Sequence, residues 1–163
     1  MFRSLVFFLT MFVITDAVAI SEKDLWGTWK LVSAVRKNVD GGQTKDAYGG
    51  PHPNGYIMYG SDRRMMAMAE YDNRIKPARV DQTTPEIRSQ LYSTSWAYAG
   101  TYEVKGNVIQ HHVDVSTNGT WTGTTVTRDI AYDGTRLVLT TRPQLSGDGQ
   151  MVILTLTWEK VSP

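Results

Sequence analysis

Histidine is the side chain whose ordinary pKa lets it both take and give a proton near neutral pH. The chain of 163 residues has three, His52, His111 and His112. The last two are adjacent within Ala99 to Gly123, AGTYEVKGNVIQHHVDVSTNGTWTG. Gly106-Asn107 has the composition of a two-residue hairpin loop. Such a loop sets Lys105 opposite Val108, Val104 opposite Ile109 and Tyr102 opposite His111. Because side chains alternate along a strand, one face then carries Tyr102, Val104, Ile109, His111, Val113 and Val115. The other carries Glu103, Lys105, Gln110, His112 and Asp114. A three-residue loop, Lys105 to Asn107, would instead bury Gln110, His112 and Asp114 without evident partners, at a higher desolvation cost. His111 is therefore the expected inward imidazole, with Tyr102 across from it.

An imidazole inside a fold suits general acid–base work; the structural alternative is a core histidine satisfied by Tyr102 or a backbone carbonyl. Arg128 is the second candidate. Asp133-Gly134 reads as another two-residue turn, pairing Ile130 with Leu137 and Arg128 with Leu139. That puts Arg128 on the face of Val126, Ile130, Leu137 and Leu139. A guanidinium there needs a carboxylate, an aromatic face or a ligand anion. His111 as acid or base, with Arg128 or Tyr102 polarising a carbonyl, is the catalytic set these residues would form.

Other chemistries lack their parts. Adjacent His111 and His112 point to opposite faces, His52 lies in a Gly/Pro loop, and no carboxylate cluster completes a metal site. There is no cysteine, which removes disulfides, thiolate metal sites and thiol nucleophiles. No G-x-S-x-G elbow or Gly-rich phosphate loop occurs, and nothing calls for a cofactor. The formal charge of +1 comes from interspersed acids and bases, a pattern that points to neither nucleic acid nor an anionic membrane.

The elements that must position these residues are mostly strands. Residues 1–19 have the pattern of a signal peptide: Arg3, an apolar run from Leu5 to Ile14, then Ala17-Val18-Ala19. The expected mature domain is 20–163, with no membrane span, secreted or periplasmic, and without a linker or repeat. Leu25 to Val35 alternates, with Trp29, Leu31, Ser33 and Val35 on one side. Gly55–Gly60 and Met65–Tyr71 read as a hairpin whose Tyr56, Met58, Tyr59, Met66 and Met68 supply cavity-lining or core side chains. Thr83-Thr84-Pro85-Glu86 starts a helix, with Ile87, Leu91, Ser95 and Tyr98 at helical spacing and Gly100 as its stop. This helix would bring Tyr92, Trp96 and Tyr98 to the barrel mouth. Strands follow over Thr101–Lys105, Val108–Ser116, Thr122–Tyr132, Arg136–Thr141 and Met151–Val161. The last, with Val152, Leu154, Leu156 and Trp158 on one face, is expected to pair with the first. Seven or eight strands in sequential hairpins make the fold class all-β: an antiparallel up-and-down barrel of about eight strands, or a meander sandwich, with one capping or flanking helix. Asn118-Gly119-Thr120 is a glycosylation sequon, relevant in a eukaryotic source.

The segments Leu25-Trp26-Gly27-Thr28-Trp29-Lys30-Leu31, Gly55 to Tyr59, Tyr98 to Ser116 and Trp121-Thr122-Gly123-Thr124 resemble the lipocalin-like domain family of the calycin barrels, over essentially the whole mature chain. Gly27-Thr28-Trp29 is similar to the G-x-W signature of lipocalins. The resemblance implies that the Trp29 indole plugs one end of the barrel and that Gly27 lets backbone approach it. It also implies, as an alternative home for Arg128, stacking on Trp29. It implies a ligand cavity, whose expected lining includes Tyr56, Met58, Tyr59, Met66, Met68, Val113 and Trp121. Two functions fit: a binder of one small, mostly apolar metabolite, or a cofactor-free isomerase, cyclase or lyase acting on a polyketide- or terpenoid-like metabolite in a natural-product pathway.

Overall fold

A computed structural model describes residues 20–161; the signal peptide expected over 1–19 lies outside them. A one-turn helix, α1 (Glu22–Leu25), precedes β1 (Gly27–Asn38), β2 (Lys45–Asp46), β3 (Asn54–Tyr59) and β4 (Arg64–Glu70). A 3-10 turn (Val80–Gln82) and α2 (Pro85–Ser93) lead to β5 (Ser95–Lys105), β6 (Val108–Ser116), β7 (Thr125–Tyr132) and β8 (Arg136–Thr141). The chain ends in β9 (Gln144–Leu145) and β10 (Met151–Lys160). The sheet runs β2-β1-β3-β4-β5-β6-β7-β8-β10-β9, and β10 pairs back on β1 from Trp29↔Lys160 to Asn38↔Val152. Eight long antiparallel strands thus close into an up-and-down barrel, which leaves no long unpaired edge.

Alternation decides what faces inward. Gly55, Ile57 and Tyr59 of β3, Met65, Ala67 and Ala69 of β4, and Val152, Leu156 and Trp158 of β10 are buried. Tyr56, Met58, Met66 and Met68 therefore stand outside, between 41% and 49% exposed. This corrects their expected place in the cavity: Ile57, Tyr59, Met65, Ala67 and Ala69 face the interior, while Tyr56, Met58, Met66 and Met68 cover the outer wall.

Two bulges reverse parity within a strand. Between Leu31↔Trp158 and Ser33↔Thr157, Val32 is the extra residue. Ala34 turns inward, so Ser33 and Val35 do not share the face of Trp29 and Leu31. On β6 the extra residue is Asp114, between Gly100↔Val113 and Ala99↔Val115. Val115, expected inside, is 60% exposed, and Asp114 meets Arg64 outside at 2.9 Å. Gly100 makes that bulge feasible, since a Cβ there would lie 1.9 Å from the His112 carbonyl oxygen.

The helix ends seven residues before Gly100. Thr84 caps it, accepting from the Ile87 N–H at 3.3 Å, and Pro85 takes the first helical position. From Ser95 onward the period is two, with Tyr98, Gly100 and Tyr102 buried in β5. Cross-strand pairing of Ala67 with Tyr98 and of Ala69 with Trp96 overrides the helical spacing. No residue of α2 is buried; its end is fastened by Arg74, which donates to the Leu91 carbonyl and to Thr94 Oγ1, and by the Tyr92 hydroxyl on the Thr117 carbonyl at 3.0 Å.

The Gly106-Asn107 loop has the expected register, Tyr102↔His111 and Lys105↔Val108, with φ +59° at Gly106. The Asp133-Gly134 turn does not. Asp133 Oδ1 accepts from the N–H groups of Thr135 and Arg136, at 2.9 and 2.7 Å, and spreads the loop over four residues. Ile130 pairs with Leu139 and Arg128 with Thr141, two residues along from expectation. An even shift keeps every side chain on its face, so Arg128 still points inward.

The end of the barrel near α1 is plugged by Trp29. Its Nε1 donates to the Leu25 carbonyl at 2.7 Å, Tyr132 meets it edge-on, and the Lys160 ammonium lies 5.1 Å from its ring centroid. Lysine, not Arg128, covers this indole. Gly27 acts through its left-handed φ of +116°, which other residues rarely adopt.

Gly100→Ala is expected to destabilise the barrel by about 3 kcal/mol, the upper range for forcing an added methyl into packed structure. Urea unfolding measures it; an unchanged midpoint would remove this account of the bulge.

Candidate functional site

Four inward positions on the wall from β3 to β7 converge at mid-barrel: Tyr59 closing β3, Tyr98 early in β5, His111 in β6 and Arg128 in β7. His111 is completely buried. Its Nε2 lies 2.9 Å from the Tyr59 hydroxyl, and its Nδ1 lies 2.9 Å from both the Tyr98 hydroxyl and Arg128 Nη1. A guanidinium nitrogen can only donate. Nδ1 must therefore be the acceptor, and the ring proton sits on Nε2, which donates to the Tyr59 hydroxyl oxygen. One imidazole lone pair is shared between the Arg128 N–H and the Tyr98 O–H.

The electrostatics follow from burial. Desolvation, then the Arg128 charge, then His112 hold the His111 pKa well below its ordinary value. Burial raises the Tyr59 and Tyr98 hydroxyls above theirs, with Arg128 opposing the shift at both. Phenols and imidazole all stay neutral, so the cluster carries one charge, the guanidinium. Arg128 is only 6% exposed. No Asp or Glu among the described residues pairs with it, and its Nε is buried without a hydrogen-bond partner. The Tyr98 ring, 5.9 Å from its Cζ, supplies a cation–π contact.

Arg128 is the floor of a cavity of about 620 Å³ that opens at the end of the barrel opposite Trp29. Its walls are aromatic and aliphatic: Tyr48 stacked on Tyr71 at 4.9 Å, Trp96 against Trp121 at 6.3 Å, and Leu154 and Leu156 of β10. Tyr92 and Ser93 of α2, the loop after β6, and β9 with the loop that follows it form the rim. A space of this size and lining matches small-molecule sites.

Comparison with known proteins gives the family. The model of the lipocalin-like domain matches residues 26–161. The chain belongs to that family. A lipocalin-like protein from Bacteroides uniformis is similar in structure at 15% identity, covering 85% of this chain and 99% of its own, with a TM-score of 0.44. Bovine odorant-binding protein, solved with a selenium-containing odorant, is 13% identical, covering 93% of this chain and 79% of its own, with a TM-score of 0.45. No curated protein matches the sequence.

Within this lipocalin-like barrel the candidate residues separate into layers. Arg128 and Trp121 line the cavity. His111 and Tyr59 lie beneath Arg128 and do not reach the cavity, and Val113 is core. Tyr102 faces His111 across the strands but sends its hydroxyl to the Gly60 carbonyl at 2.9 Å, so it is not the partner of the imidazole. Asn118 sits at the rim, its Oδ1 accepting from the Thr120 N–H and hydroxyl. Sequence reasoning missed Tyr98 as a ligand of His111. The alternation Trp96, Tyr98, Gly100, Tyr102 was its signal, hidden by the helical spacing upstream. Tyr48, in a loop without period, offered none.

The depressed His111 pKa fixes a pH dependence. Below about pH 6.5 the unfolded chain binds a proton that the folded barrel refuses, so stability falls with acidification, by up to about 1.4 kcal/mol per pH unit. Denaturant unfolding between pH 7 and 5 is expected to show this slope. His111→Gln, which cannot titrate, should flatten it; an equal slope in both proteins would assign the effect elsewhere.

Proposed function

We propose that this protein is an exported carrier that holds one small, mostly apolar metabolite in the barrel cavity. The observation that carries the reading is the cavity itself, walled by Tyr48, Tyr71, Trp96, Trp121, Leu154 and Leu156 and reached from one end. Stacked aromatic walls favour flat or unsaturated ligands, and the polar groups of the lining, among them Ser95, Thr117, Asn118, Thr141 and Gln144, would fix orientation. Export rests on the Arg3, Leu5–Ile14 and Ala17–Ala19 pattern. Carriage is favoured over isomerase or cyclase chemistry by the position of His111. It lies behind Arg128, is hydrogen-bonded at both nitrogens and is held neutral, whereas an acid–base catalyst must reach the proton it moves.

Titration of the mature protein with N-phenyl-1-naphthylamine, a neutral apolar fluorophore, is expected to give saturable one-to-one binding. Val126→Trp, which fills the cavity from β7, should abolish the signal while leaving the circular dichroism of the barrel unchanged. Linear, unsaturable fluorescence with the wild-type protein would overturn the carrier reading. N-terminal sequencing of the exported protein should begin near Ile20. Native mass spectrometry against a metabolite extract then identifies the cargo, which the carrier reading requires to be recovered chemically unchanged.

A further inference from the structure

Resting on the carrier reading, we propose that the cargo bears a single anionic head, a carboxylate, that pairs with Arg128 at the cavity floor while its apolar body lies among the aromatic walls. Among the residues that line the cavity Arg128 is the only charged side chain. Its Nε is buried without a partner, and no carboxylate of the described residues neutralises it. A guanidinium in such a site is costly unless something supplies the opposite charge. His111 and Tyr98 give it one hydrogen-bond acceptor and one ring face, neither of which carries charge. The pairing is also built rather than accidental. The neutral His111 tautomer, held from behind by Tyr59, anchors Arg128 Nη1, and the Tyr98 ring lies against the same guanidinium.

The indole N–H of Trp96 is buried beside the Tyr48 hydroxyl. The unmatched group at the floor is therefore the Arg128 guanidinium, a positively charged donor, and its complement is an acceptor-rich, negatively charged group. One cation, with no second Arg or Lys in the lining, matches the single charge of a carboxylate rather than a dianionic phosphate. Depth orders the ligand: head down on Arg128, body between Tyr48, Tyr71, Trp96 and Trp121.

The test is displacement of N-phenyl-1-naphthylamine at pH 8 by octanoic acid and by octan-1-ol, which share a chain and differ in the head. A charge-assisted pair worth about 1.5–3 kcal/mol, at about 1.4 kcal/mol per tenfold, predicts that the acid displaces the probe about 10- to 150-fold more tightly. Arg128→Gln, which keeps a donor for His111 Nδ1, and Arg128→Met should both bring the ratio close to one. Equal displacement by acid and alcohol in the wild-type protein would overturn the carboxylate assignment and leave the carrier reading standing. An acid preference that survives in either variant would overturn the role of Arg128. Failure of the probe itself to bind would overturn both readings. The wild-type ratio needs no variant, so the inference is exposed to refutation even where a substitution prevents folding.

Discussion

The hydrogen bond from Arg128 to His111 Nδ1 is the constraint around which the interior is arranged. A cation in a barrel needs an acceptor on the protein side, and a neutral imidazole supplies one lone pair. That choice of lone pair forces the ring proton to Nε2, which in turn requires an acceptor on the β3 side, and Tyr59 is there. Tyr98 closes the remaining angle with its hydroxyl and its ring. Each of the three is uncharged because burial disfavours its ionised form, with the guanidinium adding to that only at the imidazole, and each is buried because the next one covers it. The cluster divides the barrel into a solid half below, plugged by Trp29, and a hollow half above.

This arrangement assigns different work to residues that look alike in sequence. His111 and His112 are neighbours, yet one is sealed and holds Arg128 while the other sits outside against Thr125 and Glu103. Tyr59, Tyr98 and Tyr102 all point inward, but Tyr102 spends its hydroxyl on the Gly60 carbonyl and fastens the β3–β4 turn. An imidazole inside a barrel suggests catalysis; one enclosed on both nitrogens is a structural part that orients the cation above it.

Much of this was legible in the sequence, for definite reasons. Gly106-Asn107 fixed the strand pair that carries His111, because a two-residue loop admits one register. The inward direction of Arg128 was readable from Asp133-Gly134 even though the loop is longer than its composition suggests. What failed were the places where parity depends on a partner strand. The bulges at Val32 and Asp114 arise from how β1 fits β10 and how β5 fits β6, and no local pattern encodes them. The face of the β3–β4 hairpin was ambiguous because apolar residues occupy both sides, and Ile57 and Ala67 are inside while Met58 and Met66 are outside. The end of α2 was misread because Tyr98 continues the helical spacing of Ile87, Leu91 and Ser95 and also belongs to the strand alternation Trp96, Tyr98, Gly100, Tyr102; pairing with β4 broke the tie.

The loop at Asp133 has a consequence for how such a barrel can change over time. There the loop spans two residues more than the turn composition suggests, and the strands on either side keep their inner and outer faces. Insertion or deletion of two residues at a hairpin is therefore neutral toward the contents of the barrel. A change of one would turn a whole strand inside out, exchanging Arg128 for Thr127 or Asp129 at the cavity floor. Single-residue changes survive only where a bulge absorbs the odd step, as Asp114 does opposite Gly100. The lineage of this fold is thus constrained by arithmetic: loop lengths drift in twos, and each odd step must leave a bulge behind.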